Sequence, residues 1–130
     1  MKQIFAATML SLMFALGLFY LLPNAEATYP CPSATVWMEH DDENPGKCII
    51  KGDFCFEDYH QYYLRYYVPE EDGWSYILLY LNPNDYCEGD DCNYYTCAKS
   101  NVDCDTYDWE VGYDDGGWVK VDEGTVIPPL

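Results

Sequence analysis

Only six of the 130 residues are lysine or arginine, against 23 aspartates and glutamates, and the formal net charge is −17. A surface so poor in cations repels nucleic-acid phosphates and anionic lipid headgroups, which excludes nucleic-acid binding and favours basic partners. Histidine is scarce too. His40 stands beside Asp41 and Asp42 in a loop-like stretch and His60 in a tyrosine-rich one, and neither has catalytic or metal-ligand spacing. Gly-x-Ser-x-Gly, His-Glu-x-x-His and any phosphate-cradling glycine loop are missing. The sequence therefore points away from an enzyme and requires no cofactor. The runs Asp41-Asp42-Glu43 and Glu88-Gly89-Asp90-Asp91 do not follow the alternating spacing of a calcium-binding EF loop, so no metal site is expected. There is no Asn-x-Ser/Thr sequon, internal repeat or heptad, and nothing after Thr28 is apolar for long enough to span a membrane.

What is present begins with a leader. Met1-Lys2-Gln3 precedes an apolar run from Ile4 to Leu22, Pro23 and Asn24 break it, and Ala25-Glu26-Ala27 offers small residues to a signal peptidase. Residues 1–27 read as a secretory signal peptide cleaved after Ala27. An uncleaved anchor is the alternative, but it would lack the breaker and the small-x-small site. Cleavage leaves residues 28–130, one small domain, destined for the extracellular space. It removes one base, Lys2, and one acid, Glu26, so the charge of −17 stays with the domain.

Every cysteine follows the leader: Cys31, Cys48, Cys55, Cys87, Cys92, Cys97 and Cys104. In an exported chain this predicts a disulfide framework rather than a zinc site. The count of seven leaves one over. Either one thiol is free and buried, or the chain forms a disulfide-linked homodimer.

The pattern is β-rich. Residues 59–68 (YHQYYLRYYV) and 74–81 (WSYILLYL) read as two strands joined by turn chemistry at Pro69-Glu70-Glu71-Asp72-Gly73. A helix over 58–67 is the alternative, but adjacent tyrosines lose side-chain freedom there. Tyr107, Trp109, Val111 and Tyr113 share one strand face opposite Asp108 and Glu110, Asp114-Asp115-Gly116-Gly117 turns, and 118–121 returns. Shorter strands are predicted at 35–38 and 48–51, a loop at 41–46 and a loose tail from Val126 to Leu130. The expected fold class is a small disulfide-rich β domain with two or more antiparallel hairpins and little helix. Thirteen of the 14 tyrosines follow the leader, many of them beside acids. Tyrosine interleaved with carboxylate is the composition of a contact surface. Trp37, Tyr107 and Trp109 are the expected aromatic anchors.

The cluster Cys87-EGDD-Cys92-NYYT-Cys97-AKSNVD-Cys104 resembles the cysteine spacing of the larger evasins, the chemokine-binding proteins of tick saliva. The interval from Cys55 to Cys87 is similar to that family's, and Cys31, Cys48 and Cys55 stand for its first three cysteines. The family's fourth cysteine would fall near Val68, and its acidic N-terminal extension is reduced to Thr28-Tyr29-Pro30. The resemblance implies the pairs Cys31–Cys55, Cys48–Cys92 and Cys87–Cys104, with Cys97 as the unpaired thiol. It also implies that Tyr29 and Pro30 lie where the chemokine is gripped. Composition and resemblance together predict a secreted, non-enzymatic salivary binder that sequesters a basic host protein such as a chemokine. A protease or complement inhibitor and a tyrosine-rich structural secretion are the rival readings.

Overall fold

The computed structural model describes residues 28–84 and 86–130; the predicted leader lies outside them. Eight strands form: β1 (Ser33–His40), β2 (Lys47–Phe56), β3 (Tyr63–Val68), β4 (Gly73–Leu78), β5 (Tyr80–Asn82), β6 (Asn93–Asp103), β7 (Tyr107–Asp114) and β8 (Trp118–Val126). They make two antiparallel four-stranded sheets, ordered β1-β2-β6-β5 and β4-β3-β7-β8. The domain is thus all-β and disulfide-rich, with no helix among the described residues.

The strands follow from alternation. In β2, Cys48, Ile50, Gly52 and Phe54 are buried while Lys47, Ile49, Lys51 and Asp53 are partly exposed. Both predicted hairpins form, Val68 facing Gly73 across one turn and Asp114 facing Trp118 across the other. The second turn uses Gly116 at φ 70° and Gly117 at φ 154°, a backbone that side chains resist. Strands β1 and β2 are longer than the sequence suggests, and β8 runs to a buried Val126. The longest strand, β6, was hidden beneath the cysteine spacing and lies between β2 and β5.

The two sheets share a single stretch of chain. Residues 73–82 form β4 in one sheet and β5 in the other, and the buried Leu79 between them donates its N–H to the Tyr62 carbonyl at 3.0 Å. On the opposite side β1 lies against β8. The core between the sheets is aromatic, with Phe54, Phe56, Tyr62, Tyr66, Tyr95, Tyr107 and Trp109 packed around Ile50, Leu64 and Val111. Two buried phenols keep hydrogen bonds, Tyr62 to the Asp58 carbonyl and Tyr107 to the Asp103 carbonyl, each at 2.8 Å.

The disulfides are Cys31–Cys92, Cys48–Cys104 and Cys55–Cys87. This corrects the pairing that the resemblance implies, and the β2–β6 register gives the reason. Lys47 faces Asp103 at one end of that ladder and Phe56 faces Asn93 at the other. Cys48 and Cys104 therefore sit at one end, and Cys55, Cys87 and Cys92 at the other. At about 3.3 Å per residue the ends are roughly 25 Å apart, far beyond a disulfide's reach, which forbids both Cys48–Cys92 and Cys87–Cys104. The sulfurs of Cys55, Cys87 and Cys92 lie within 4.8 Å of one another, so two disulfides pack together. Bonded in this way they offer no thiolate to a metal. Cys97 is unpaired and buried. Burial first, and Asp53 second, push its thiol up to about 12.

Candidate functional site

The outer face of the β4-β3-β7-β8 sheet carries a cluster of packed aromatic rings. Alternation turns Leu64 and Tyr66 inward and leaves Tyr63, Arg65 and Tyr67 outside; β4 adds Trp74 and Tyr76 beside them. Cross-strand register sets Arg65 between Tyr76 and Glu110. Gly112 lets Trp118 join them: an added Cβ there would meet the Val119 carbonyl at 2.1 Å and the Trp118 ring at 3.0 Å.

Arg65 is the centre of this face. Its guanidinium packs 4.3 Å from the ring centroids of both Trp74 and Trp118. It donates to Glu110 Oε1 from Nε at 3.1 Å and Nη2 at 2.7 Å, and from Nη1 to the Tyr76 hydroxyl at 3.1 Å. The Trp118 indole N–H reaches the same Glu110 oxygen at 2.9 Å. Burial alone would raise the Glu110 carboxyl, but hydrogen bonds from Arg65 and Trp118 outweigh it and hold the group below the usual glutamate value. A planar cation between two indoles, with a carboxylate at its edge, is the arrangement that guanidinium chemistry favours. The rings continue outward, Tyr76 meeting Tyr63 at 6.4 Å and Trp118 at 6.0 Å, both edge to face.

Across the described residues the charge is one-sided. Lys47 pairs with Asp103, Lys51 with Glu39, Arg65 with Glu110 and Lys120 with Glu123. Lys99 donates to the Ser75 hydroxyl at 3.2 Å and sits over the Tyr66 ring. Each base among the described residues is thus engaged within the fold, while exposed carboxylates remain at Glu70, Glu71, Asp72, Asp108, Asp114, Asp115 and Asp122.

The expected anchors scatter. Tyr107 and Trp109, 5% and 7% exposed, belong to the core, which corrects their assignment as surface contacts. Their strand face is the more apolar one, so burial claims it. Trp37 lies half-buried on β1 opposite Lys51, in the other sheet. Pro30 is exposed. Tyr29 is spent locally: its hydroxyl donates to Asp53 Oδ2 at 3.1 Å while Tyr94 donates to Oδ1 at 2.9 Å, and its backbone bridges Cys87. Sequence reading missed Tyr63, Trp74, Tyr76 and Trp118; the alternation that buries Leu64 and Ile77 marks the first three as outward, while β8 carries no such signal for Trp118. Compared with known proteins, the chain matches no family model, no curated protein and no solved structure.

Proposed function

We propose that this protein is a secreted, non-enzymatic binder that captures a basic extracellular protein, a chemokine being the candidate that the evasin-like cysteine spacing suggests. One observation carries the reading: the fold engages its own cations internally and leaves an excess of carboxylates around an exposed aromatic sheet face. Such a surface speeds encounter with cationic proteins through its field and slows their release through aromatic contact. The three disulfides are compatible with an extracellular setting. Because the disulfide pairing differs from the one that the resemblance implies, surface chemistry supports the reading more than spacing does. The test is surface plasmon resonance against a panel of chemokines and other small basic proteins at several salt concentrations. Binding that weakens as salt rises is expected, and silence across the panel at low ionic strength overturns it. Inhibition of a protease without binding to any basic protein favours the inhibitor reading instead.

A further inference from the structure

We propose that the cleft walled by Tyr63, Tyr76 and Trp118 takes one arginine side chain of the basic partner, with Asp114 as its counter-ion. This rests on the binder reading above and names where and how that partner is held. The cleft, completed by Gly117, is open to solvent and has a volume of about 370 Å³. That is the lower end of the range for ligand pockets and suits a side chain better than a cofactor.

The neighbouring rung already displays the chemistry. Trp118 and Tyr76, two walls of the cleft, also hold Arg65, one through its ring face and the other through its hydroxyl. A guanidinium is weakly hydrated, stacks on aromatic rings and pairs with a carboxylate in its own plane. The internal guanidinium has Glu110 for that purpose. Asp114 has no such partner among the described ion pairs; its Oδ1 accepts only the Gly117 N–H, at 2.9 Å. Asp115, exposed beside it, adds to the local negative field. Tyr76 is 51% exposed and Trp118 partly so, which leaves ring surface uncovered at the mouth. The cleft thus repeats the elements around Arg65, aromatic rings and a carboxylate, without the cation. Complementarity of charge and shape selects a guanidinium as its occupant.

The experiment titrates the oxidised protein with N-acetylarginine amide and, as the neutral isostere, N-acetylcitrulline amide. The reporter is the Trp118 indole N–H resonance by ¹⁵N NMR. Saturable movement with the arginine compound, none with citrulline, and at least about threefold weaker binding in Asp114→Asn are expected. Equal movement with citrulline, unchanged binding in Asp114→Asn, or resonance changes confined to another face overturns the proposal. Asp114→Asn and Tyr76→Ala alter exposed side chains, and their circular dichroism should match the native protein. The two readings fail differently. A basic protein that binds both variants as it binds the native chain removes the cleft and leaves the binder. If the arginine compound fills the cleft and no basic protein binds, the cleft stands and the binder falls.

Discussion

The carboxylate of Asp41 accepts the backbone N–H of Asn101 at 2.9 Å, joining the β1–β2 turn to strand β6 across 60 residues of sequence. The same side chain accepts Asn44 Nδ2 at 2.8 Å and the Glu43 N–H at 3.1 Å, and it is 4% exposed. The Asn44 hydrogen bond, helped by backbone donors against the cost of burial, holds Asp41 below the usual aspartate value. A carboxyl lowered by folding stabilises fully above its unfolded value, about 3.9, and loses that contribution as pH falls through the folded one. Asp41→Ala should melt below the native protein near neutral pH, with the gap narrowing as the pH falls below about 3.9 and on through the lowered folded value. Thermal melts by circular dichroism across that range check it, and a gap independent of pH contradicts the account.

Arg65 and Glu110 should be coupled. Arg65→Met leaves a partly buried carboxylate without its cation and should lower stability by roughly 1–3 kcal/mol. Combining it with Glu110→Gln should recover part of that loss, with a coupling of about 0.5–3 kcal/mol in urea unfolding. Strict additivity would mean that the pair contributes little beyond packing of the stem.

The Cys97 thiol should be silent in the folded protein. At about pH 8 iodoacetamide should leave the native chain unmodified and add once after unfolding in guanidinium without reductant. Rapid modification of the native chain would place the thiol at the surface. Folding raises this thiol above its unfolded value of about 8.5, so its contribution is intact below that value and fades as pH climbs toward about 12. Tyr107, pushed up to about 12 by burial and then by Asp105 and Asp103, adds a loss that begins only above its unfolded value of about 10. Cys97→Ala should therefore flatten only part of the alkaline slope.

Proteolysis under non-reducing conditions should yield peptides linked as Cys31–Cys92, Cys48–Cys104 and Cys55–Cys87. Replacing both Cys48 and Cys104 by serine opens a 56-residue span and should cost about 2–5 kcal/mol. Recovery of a Cys48–Cys92 peptide would require a different β2–β6 register.

Gly124 lies under the Trp109 indole, and a Cβ there would come within 2.7 Å of the ring. Gly124→Ala should cost about 1–3 kcal/mol and shift tryptophan fluorescence. Gly73→Ala, where the nearest atom is 3.7 Å away, serves as the mild comparison.

Much of the architecture was legible because period-two alternation and turn residues act locally. The Pro69–Gly73 and Asp114–Gly117 turns announced both hairpins of the second sheet. Strand β6 was not legible, since the adjacent Tyr94 and Tyr95 are both buried, which breaks the period-two pattern that marks a strand. The choice of face failed for a related reason. Tyr107 and Trp109 look like contact residues in composition, yet their face also carries Val111, and the inner surface of a sandwich takes the more apolar side. Sulfur pairing depends on which strand ends meet, which spacing alone does not encode.

The strand that changes sheets at Leu79 has a mechanical consequence. With β4 and β5 drawn from one continuous stretch and only Leu79 between them, separating the layers pulls directly on the paired strands of both. Amide exchange should therefore report a single cooperative opening of both layers, with no hinge between them.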